Sequence, residues 1–113
     1  MALRLRRREQ VVDLEDEQGL PRRYVVREMT GLERDQFVQA TEARTRRDPA
    51  GKVTSRTSEG LSQLLLSLAL RDETGVAVAR ATLDGWPTTT VEALAEVALT
   101  LSGFREDGAP PGN

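Results

Sequence analysis

Few side chains in this 113-residue sequence could carry acid–base, nucleophilic or metal chemistry, because it contains no histidine and no cysteine. Two carboxyl groups could act as an acid and a base if their pKa values differed, and candidate pairs include Asp13 with Asp16 and Glu92 with Glu96. Both pairs lie on faces that the local pattern predicts to be exposed, where burial would not separate the two pKa values. We therefore expect no enzyme, no catalytic residue, no metal site and no cofactor.

The glycine-containing segments do not add a phosphate site. The segments "DGWP" and "EDGAPPG" lack the strand-to-helix setting and the GK[ST] ending of a phosphate-binding loop. Lys52 lies in a polar segment and is expected to be exposed, without a catalytic role.

The composition is typical of one folded domain with a polar surface. Hydrophobic residues make up 38% of the chain and charged residues 30%. Aromatic residues are only 4%, so the core should consist of Leu, Val and Ala. No apolar run has the length of a signal peptide or of a bilayer span, so we expect a cytoplasmic protein without a membrane partner.

The charge pattern argues against a nucleic-acid partner. The net charge is −2, and the arginine clusters at Arg4–Arg8 and Arg44–Arg47 occur in a chain with more acidic than basic residues. Such clusters can contact phosphates, but here a solvated or salt-bridged surface is the simpler interpretation.

Two short alternating segments at the start of the chain predict a β-hairpin. Residues 9–15 and 22–29 carry the β-branched pattern of strands, and Gly19 and Pro21 lie between them as turn residues. An isolated hairpin is barely stable, so one of its faces should be covered. Its edge could instead pair with another chain. The residues expected on the covered face are Val12, Leu14, Tyr24 and Val26.

The next segment contains a capping box. Thr30 and Glu33 are three residues apart at the start of a helical pattern, so each side chain can accept from the other residue's backbone N–H. The predicted helix covers residues 31–46, with Phe37 on the face that packs against the core. Residues 48–57 are polar and are expected to form a loop.

The second predicted helix, residues 58–71, is the most hydrophobic segment. One stripe consists of Leu61, Leu64, Leu65 and Leu68. Leu66 and Leu70 widen this stripe beyond what one neighbouring surface usually covers. Either the helix is central and packed on two sides, which we favour, or part of its leucine surface contacts another molecule.

The C-terminal half ends in a third clear helix. In the weakly patterned segment that precedes it, residues 76–78 could form a strand and residues 80–83 a helical turn. Trp86 is expected to fill a gap in the core, and the alternative is that its ring stacks on a ligand. A second capping box of Thr89 and Glu92 should begin the helix. Gly103 should take a left-handed conformation at its end. Phe104 should then fold back as the hydrophobic partner of that cap.

Together these elements predict an α+β protein, with an N-terminal β-hairpin packed on a small bundle of about three to four α-helices. Residues 1–8 form a basic N-terminal segment, residues 9–104 a single α+β domain, and residues 105–113 a C-terminal tail that is expected to be disordered.

The order of these elements resembles the tail assembly chaperones of long-tailed, siphovirus-like bacteriophages and prophages. Those proteins commonly show a strand leading into an "L(T/S)G.ER..F" helix start, a "DE.G" turn after an apolar helix, and a terminal helix ending in "LSG". The resemblance covers about residues 10–104. The matching residues are Thr30, Gly31, Glu33, Arg34 and Phe37, then Asp72, Glu73 and Gly75, and finally Leu101, Ser102 and Gly103.

The resemblance implies a non-enzymatic protein of the bacterial host cytoplasm. It would bind the phage tape measure protein and keep it soluble while the tail tube assembles, and it would be absent from the finished virion. The tail tube protein and a second copy of the chain are further partners to consider. A longer, frameshifted product is also common among such proteins. The candidate contacts with the partner are Leu64, Leu66, Leu68 and Leu70.

Two other classes share the size and composition of this chain. A structural neck or tail-completion protein of a phage would form stable rings. A small nucleic-acid-binding regulator would use the arginines of residues 4–8 as an arm, and its binding would weaken steeply with salt. The sequence pI of about 5.2 counts against this second alternative.

Overall fold

A computed structural model describes residues 3, 5–56 and 60–104 of the chain. It confirms the mixed α+β class, with an antiparallel sheet at the N-terminus and four helices in the described residues. The expected tail at residues 105–113 and the expected helix start at residue 58 lie outside the described residues. The elements are β1 (Glu9–Glu15), β2 (Pro21–Arg27), α1 (Gly31–Ala43), β3 (Thr45–Arg47), β4 (Val53–Arg56), α2 (Leu61–Ala69), β5 (Leu70–Asp72), α3 (Arg80–Asp84) and α4 (Thr88–Leu101).

The main sheet contains three antiparallel strands in the order β1-β2-β5. The β1–β2 hairpin is the one that the alternating pattern predicts, and its register pairs Val12 with Tyr24. Its inner face covers the core, where Val26 is fully buried. Its outer face carries ion pairs, with Arg27 3.8 Å from Glu9 and Arg23 3.4 Å from Asp13, on either side of the pair Val11 and Val25. Alternation of side chains along each strand therefore separates a core face from an ion-paired face.

The same four-residue turn, Asp-x-x-Gly, occurs three times. In each turn the Asp carboxylate accepts backbone N–H groups from the residues two and four positions later, at 2.9–3.0 Å. The glycine has a positive φ, between 78° and 86°, which glycine adopts without steric cost. The turn residue in the first hairpin is therefore Gly19, whereas Pro21 is the first residue of β2. The three turns are Asp16–Gly19, Asp48–Gly51 and Asp72–Gly75.

The second of these turns corrects two sequence predictions. Helix α1 ends at Ala43 instead of Arg46, and the expected loop contains β4, which pairs with β3. The Asp48 side chain fixes the turn, so residues 45–47 leave the helix to pair with residues 53–56. Strand pairing thus replaces the last helical turn.

Helix α2 is central, which is the arrangement that the sequence analysis favours. It packs against α1, α3, α4 and β2, and it contains no exposed residue. It ends at Ala69 because Leu70 leaves the helix and pairs with Val26 of β2. The buried core residues are Val26, Met29, Leu65, Leu66, Ala69, Leu70, Val78, Leu83, Val91, Leu94, Ala95 and Ala98.

The weakly patterned segment after β5 is mostly a connection. Ala77 forms an isolated bridge with Arg71, and α3 follows at Arg80–Asp84. Trp86 is half-buried against the core, with its ring edge-on to Tyr24 at a centroid distance of 5.4 Å. It therefore joins the inner face of the sheet to the start of α4. None of the helices in the described residues is long and apolar enough to span a membrane.

Candidate protein-binding groove

A groove of about 570 Å³ lies between α1, α2 and α4. Its apolar surface consists of the buried Leu65 and Ala95 with the half-buried Phe37, Leu61 and Leu99. Ser62, Ala93, Glu92 and Glu96 complete the lining, and the last three are exposed. The groove, named here the helix groove, therefore has an apolar floor and an acidic margin.

Helix α4 forms one side of the helix groove, and its start differs from the sequence prediction. The N-cap residue is Pro87, and no side chain caps the first turn. The expected Thr89–Glu92 capping box is wrong, because the helix already begins at Thr88 and Thr89 lies within its first turn. Glu92 is consequently free of a capping role and lies at the margin of the groove.

Helix α1 forms the opposite side, and its start is fixed by Glu33. The capping box is complete: Thr30 Oγ1 accepts from the Glu33 N–H at 3.2 Å, and Glu33 Oε1 accepts from the Thr30 N–H at 3.0 Å. The same carboxylate lies 3.1 Å from Arg7 and 3.7 Å from Arg71. Glu33 therefore connects α1 to the N-terminal segment and to β5, which sets the position of the groove wall.

An aromatic pair joins α1 to the end of α4. The rings of Phe37 and Phe104 meet edge to face, with centroids 5.7 Å apart, and the Arg34 guanidinium lies 4.6 Å from the Phe104 centroid. Phe104 is held there by the end of α4: its N–H donates to Leu99, and Gly103 has a φ of 84°. This is a Schellman cap whose hydrophobic residue packs on another helix.

The four leucines expected to contact a partner do not share one surface. Leu66 and Leu70 are completely buried, so they are corrected to core residues, because the sheet and the neighbouring helices cover the face they occupy. Leu64 and Leu68 are half-buried, and Leu68 packs against the core. The leucines of α2 that line the helix groove are instead Leu61 and Leu65. Their i, i+4 spacing is visible in the sequence, but it does not distinguish a groove from a core.

No group of three or more Asp, Glu, His or Cys side chains that could hold a metal ion occurs in the described part of the chain.

The comparisons with known proteins give no family for this fold. No protein-family model, curated protein or solved structure matches the chain.

Proposed function

We propose that this chain is a tail assembly chaperone of a long-tailed bacteriophage or prophage, which binds helical segments of the tape measure protein in the helix groove. The observation that carries the proposal is the groove itself, with its apolar floor between three helices. An amphipathic helix buries its apolar face in such a groove and presents residues at i, i+3 or i+4 and i+7 to the floor.

The acidic margin defines the chemistry of the bound helix. Glu92 and Glu96 are four residues apart on α4 and therefore lie on the same side of that helix. A partner helix with Lys or Arg beside its apolar stripe would complement the exposed Glu92 carboxylate, which favours association and orientation.

The resemblance to tail assembly chaperones supports this proposal through three of its matched residues. Thr30 and Glu33 hold the start of α1, and Phe37 lines the groove. The tape measure proteins that such chaperones hold are long, helical and apolar, which is the kind of segment that the groove would cover. In the basic N-terminal segment, Arg7 pairs with the Glu33 carboxylate. This ion pair leaves the segment poorly placed to act as the phosphate-binding arm of a nucleic-acid-binding regulator.

The experiment is co-expression with the tape measure protein encoded near this chain, followed by size-exclusion chromatography with light scattering. Ala93→Arg places a long cationic side chain in the groove at an exposed position. The affinity for the tape measure protein should fall about tenfold, the equivalent of 1.4 kcal/mol, and the yield of soluble complex should fall with it. Ala81→Arg is the matched control, because Ala81 is an exposed helical alanine on α3 and does not line the groove.

Charge reversal provides a second variant. Glu92→Lys should weaken the complex by repelling the basic flank of the partner helix, and the weakening should decrease at high salt. Leu66→Glu is unsuitable, because Leu66 is fully buried and the domain would unfold. A tape measure protein that is equally soluble without this chain, or a closed ring formed by this chain alone, would contradict the proposal and favour a neck or tail-completion component.

A further inference from the structure

A second concave surface lies between the Asp16 turn and the start of α4. This cleft has a volume of about 470 Å³ and shares no lining residue with the helix groove. Tyr24, Trp86 and Pro87 contribute its apolar surface, together with Leu14. We name it the aromatic cleft. Two of the four aromatic side chains in the whole sequence line it.

The two rings of the aromatic cleft are held in a fixed arrangement. Tyr24 and Trp86 meet edge to face at an interplanar angle of 78°, and both are half-buried. Tyr24 is part of β2, which is the central strand of the sheet, and Trp86 immediately precedes the Pro87 cap of α4. Both rings therefore line the cleft in an arrangement that is already fixed, with little conformational entropy to lose on binding.

The charged residues of the aromatic cleft are mainly acidic. Glu15, Asp16 and Glu17 line it with a single cation, Arg22, whose Nε already donates to Asp16 at 3.2 Å. Backbone N–H groups, first of all that of Leu20, also hold the pKa of Asp16 below its usual value, so this carboxylate stays ionised. Within the described residues, no ion pair or hydrogen bond involves the carboxylates of Glu15 or Glu17. Glu15 shares the outer face of β1 with Glu9 and Asp13, so the uncompensated negative charge at the cleft is that of Glu17.

These features together specify a cationic group with a flat apolar surface. A guanidinium stacks on aromatic rings and pairs with carboxylates through its planar set of N–H donors, whereas an ammonium is more strongly hydrated. The chain already contains one such contact, in which Arg34 lies over Phe104 at 4.6 Å. We propose that the aromatic cleft binds an arginine side chain of a partner protein.

The position of Trp86 supplies a direct measurement, because it is the only tryptophan in the sequence. The full chain is titrated with the peptide acetyl-Gly-Gly-Arg-Gly-Gly-amide while the tryptophan emission is recorded. A single side chain should bind with a Kd of about 1 mM. The citrulline peptide, which is neutral and nearly isosteric, should bind at least about tenfold more weakly, and the lysine peptide should lie between the two.

Glu17 and Glu73 give a matched pair of variants, because both are exposed second residues of the same Asp-x-x-Gly turn. Glu17→Gln should raise the Kd of the arginine peptide about threefold or more, whereas Glu73→Gln should leave it unchanged. Amide chemical shifts, measured alongside, should change around Glu17 and Trp86, and the acidic-margin variant Glu92→Lys of the helix groove should bind the peptide normally. This last result separates the aromatic cleft from the proposed tape measure site.

Three outcomes would overturn the inference. Equal binding of the arginine and citrulline peptides would mean that the cleft selects shape and not charge. Equal weakening by Glu17→Gln and Glu73→Gln would indicate general attraction to an acidic protein. A change in Trp86 emission with protein concentration alone, together with dimer formation, would identify a second copy of the chain as the occupant.

Discussion

The β1–β2 hairpin and the β3–β4 hairpin end in the same Asp-x-x-Gly turn but differ in what covers them. The first has its inner face on the core, where Val26 is fully buried. The second contacts mainly α1, and within the described residues none of its side chains is buried. The comparison shows that local turn chemistry is enough to direct two strands together, whereas burial decides how much a hairpin adds to the stability of the domain.

The two hairpins also differ in regularity. The β1–β2 pair is continuous over seven residues of each strand, whereas the register of β3–β4 shifts between Arg46 and Arg47. A continuous register is required where one face must match a core, because a slip of one residue would turn every apolar side chain outward. A hairpin without a buried face tolerates the irregularity.

The largest effect should come from removing core contacts of the first hairpin. Val26→Ala should lower the free energy of unfolding by about 2–3 kcal/mol, because two methyl groups and their packing are lost at a fully buried site. Val53→Ala is the control in the second hairpin, where the side chain is 40% exposed, and it should change stability by less than about 0.5 kcal/mol. Urea unfolding of both variants tests this, and equal losses would refute the contrast between the hairpins.

The next effect concerns Glu33, which connects α1 to the N-terminal segment and to β5. Glu33→Gln should destabilise the domain by about 1–2 kcal/mol, because the charge that faces Arg7 and Arg71 is lost at a carboxylate only 19% exposed. Hydrogen exchange should increase first in α1 and the β3–β4 hairpin, which depend on this connection. Glu42→Gln removes a more exposed ion pair with Arg47 and should have little effect. Faster exchange in β1 and β2 as well would show that Glu33 stabilises the whole domain uniformly.

A smaller effect should come from the turns. An added Cβ would meet no atom within 4 Å at Gly19 or Gly51, so the cost of Gly→Ala arises from the positive φ alone. Gly19→Ala should cost about 1 kcal/mol in global unfolding. Gly51→Ala should carry a similar local cost but a smaller global one, because its hairpin can open while the core stays folded. Amide exchange near each turn, compared with the urea midpoint, distinguishes local from global opening.

The sequence predicts the elements whose signals are local. The alternation around Val12 and Val26 predicts the first hairpin, the Thr30 and Glu33 spacing predicts the start of α1, and Gly103 predicts the end of α4. In each case the residues that carry the signal also make the contact that stabilises the element.

Other elements depend on partners that are distant in the sequence. Nothing in "LLLSLALR" ends a helix at Ala69, and β5 forms there because Leu70 pairs with Val26. The second hairpin has no apolar alternation, although the Asp48–Gly51 turn could have been recognised from its two counterparts. The helix groove requires three helices to be positioned, so Leu61 and Leu65 could be assigned to an apolar stripe but not to a groove.

The smallest effect should be the pH dependence that the turn carboxylates add. The pKa of Asp16 is lowered mainly by the Leu20 N–H, and that of Asp72 mainly by the Thr74 hydroxyl. A carboxylate with a lower pKa in the folded state than in the unfolded state stabilises the fold fully above the unfolded value, about 3.9. That stabilisation is lost as the pH falls through the lower, folded value.

Asp16→Asn and Asp72→Asn should therefore destabilise the domain at neutral pH and differ less from the parent chain as the pH falls below about 4. Urea midpoints measured across this range test the sign, and a difference that stays the same at all pH values would mean that ionisation of the carboxylate is not its cause. A larger loss of stability at neutral pH for the Asp16 variant than for the Asp72 variant would show that the turn of the first hairpin contributes more than the turn after β5. Asp16 closes a hairpin of seven-residue strands, whereas Asp72 is the last residue of a strand of three residues.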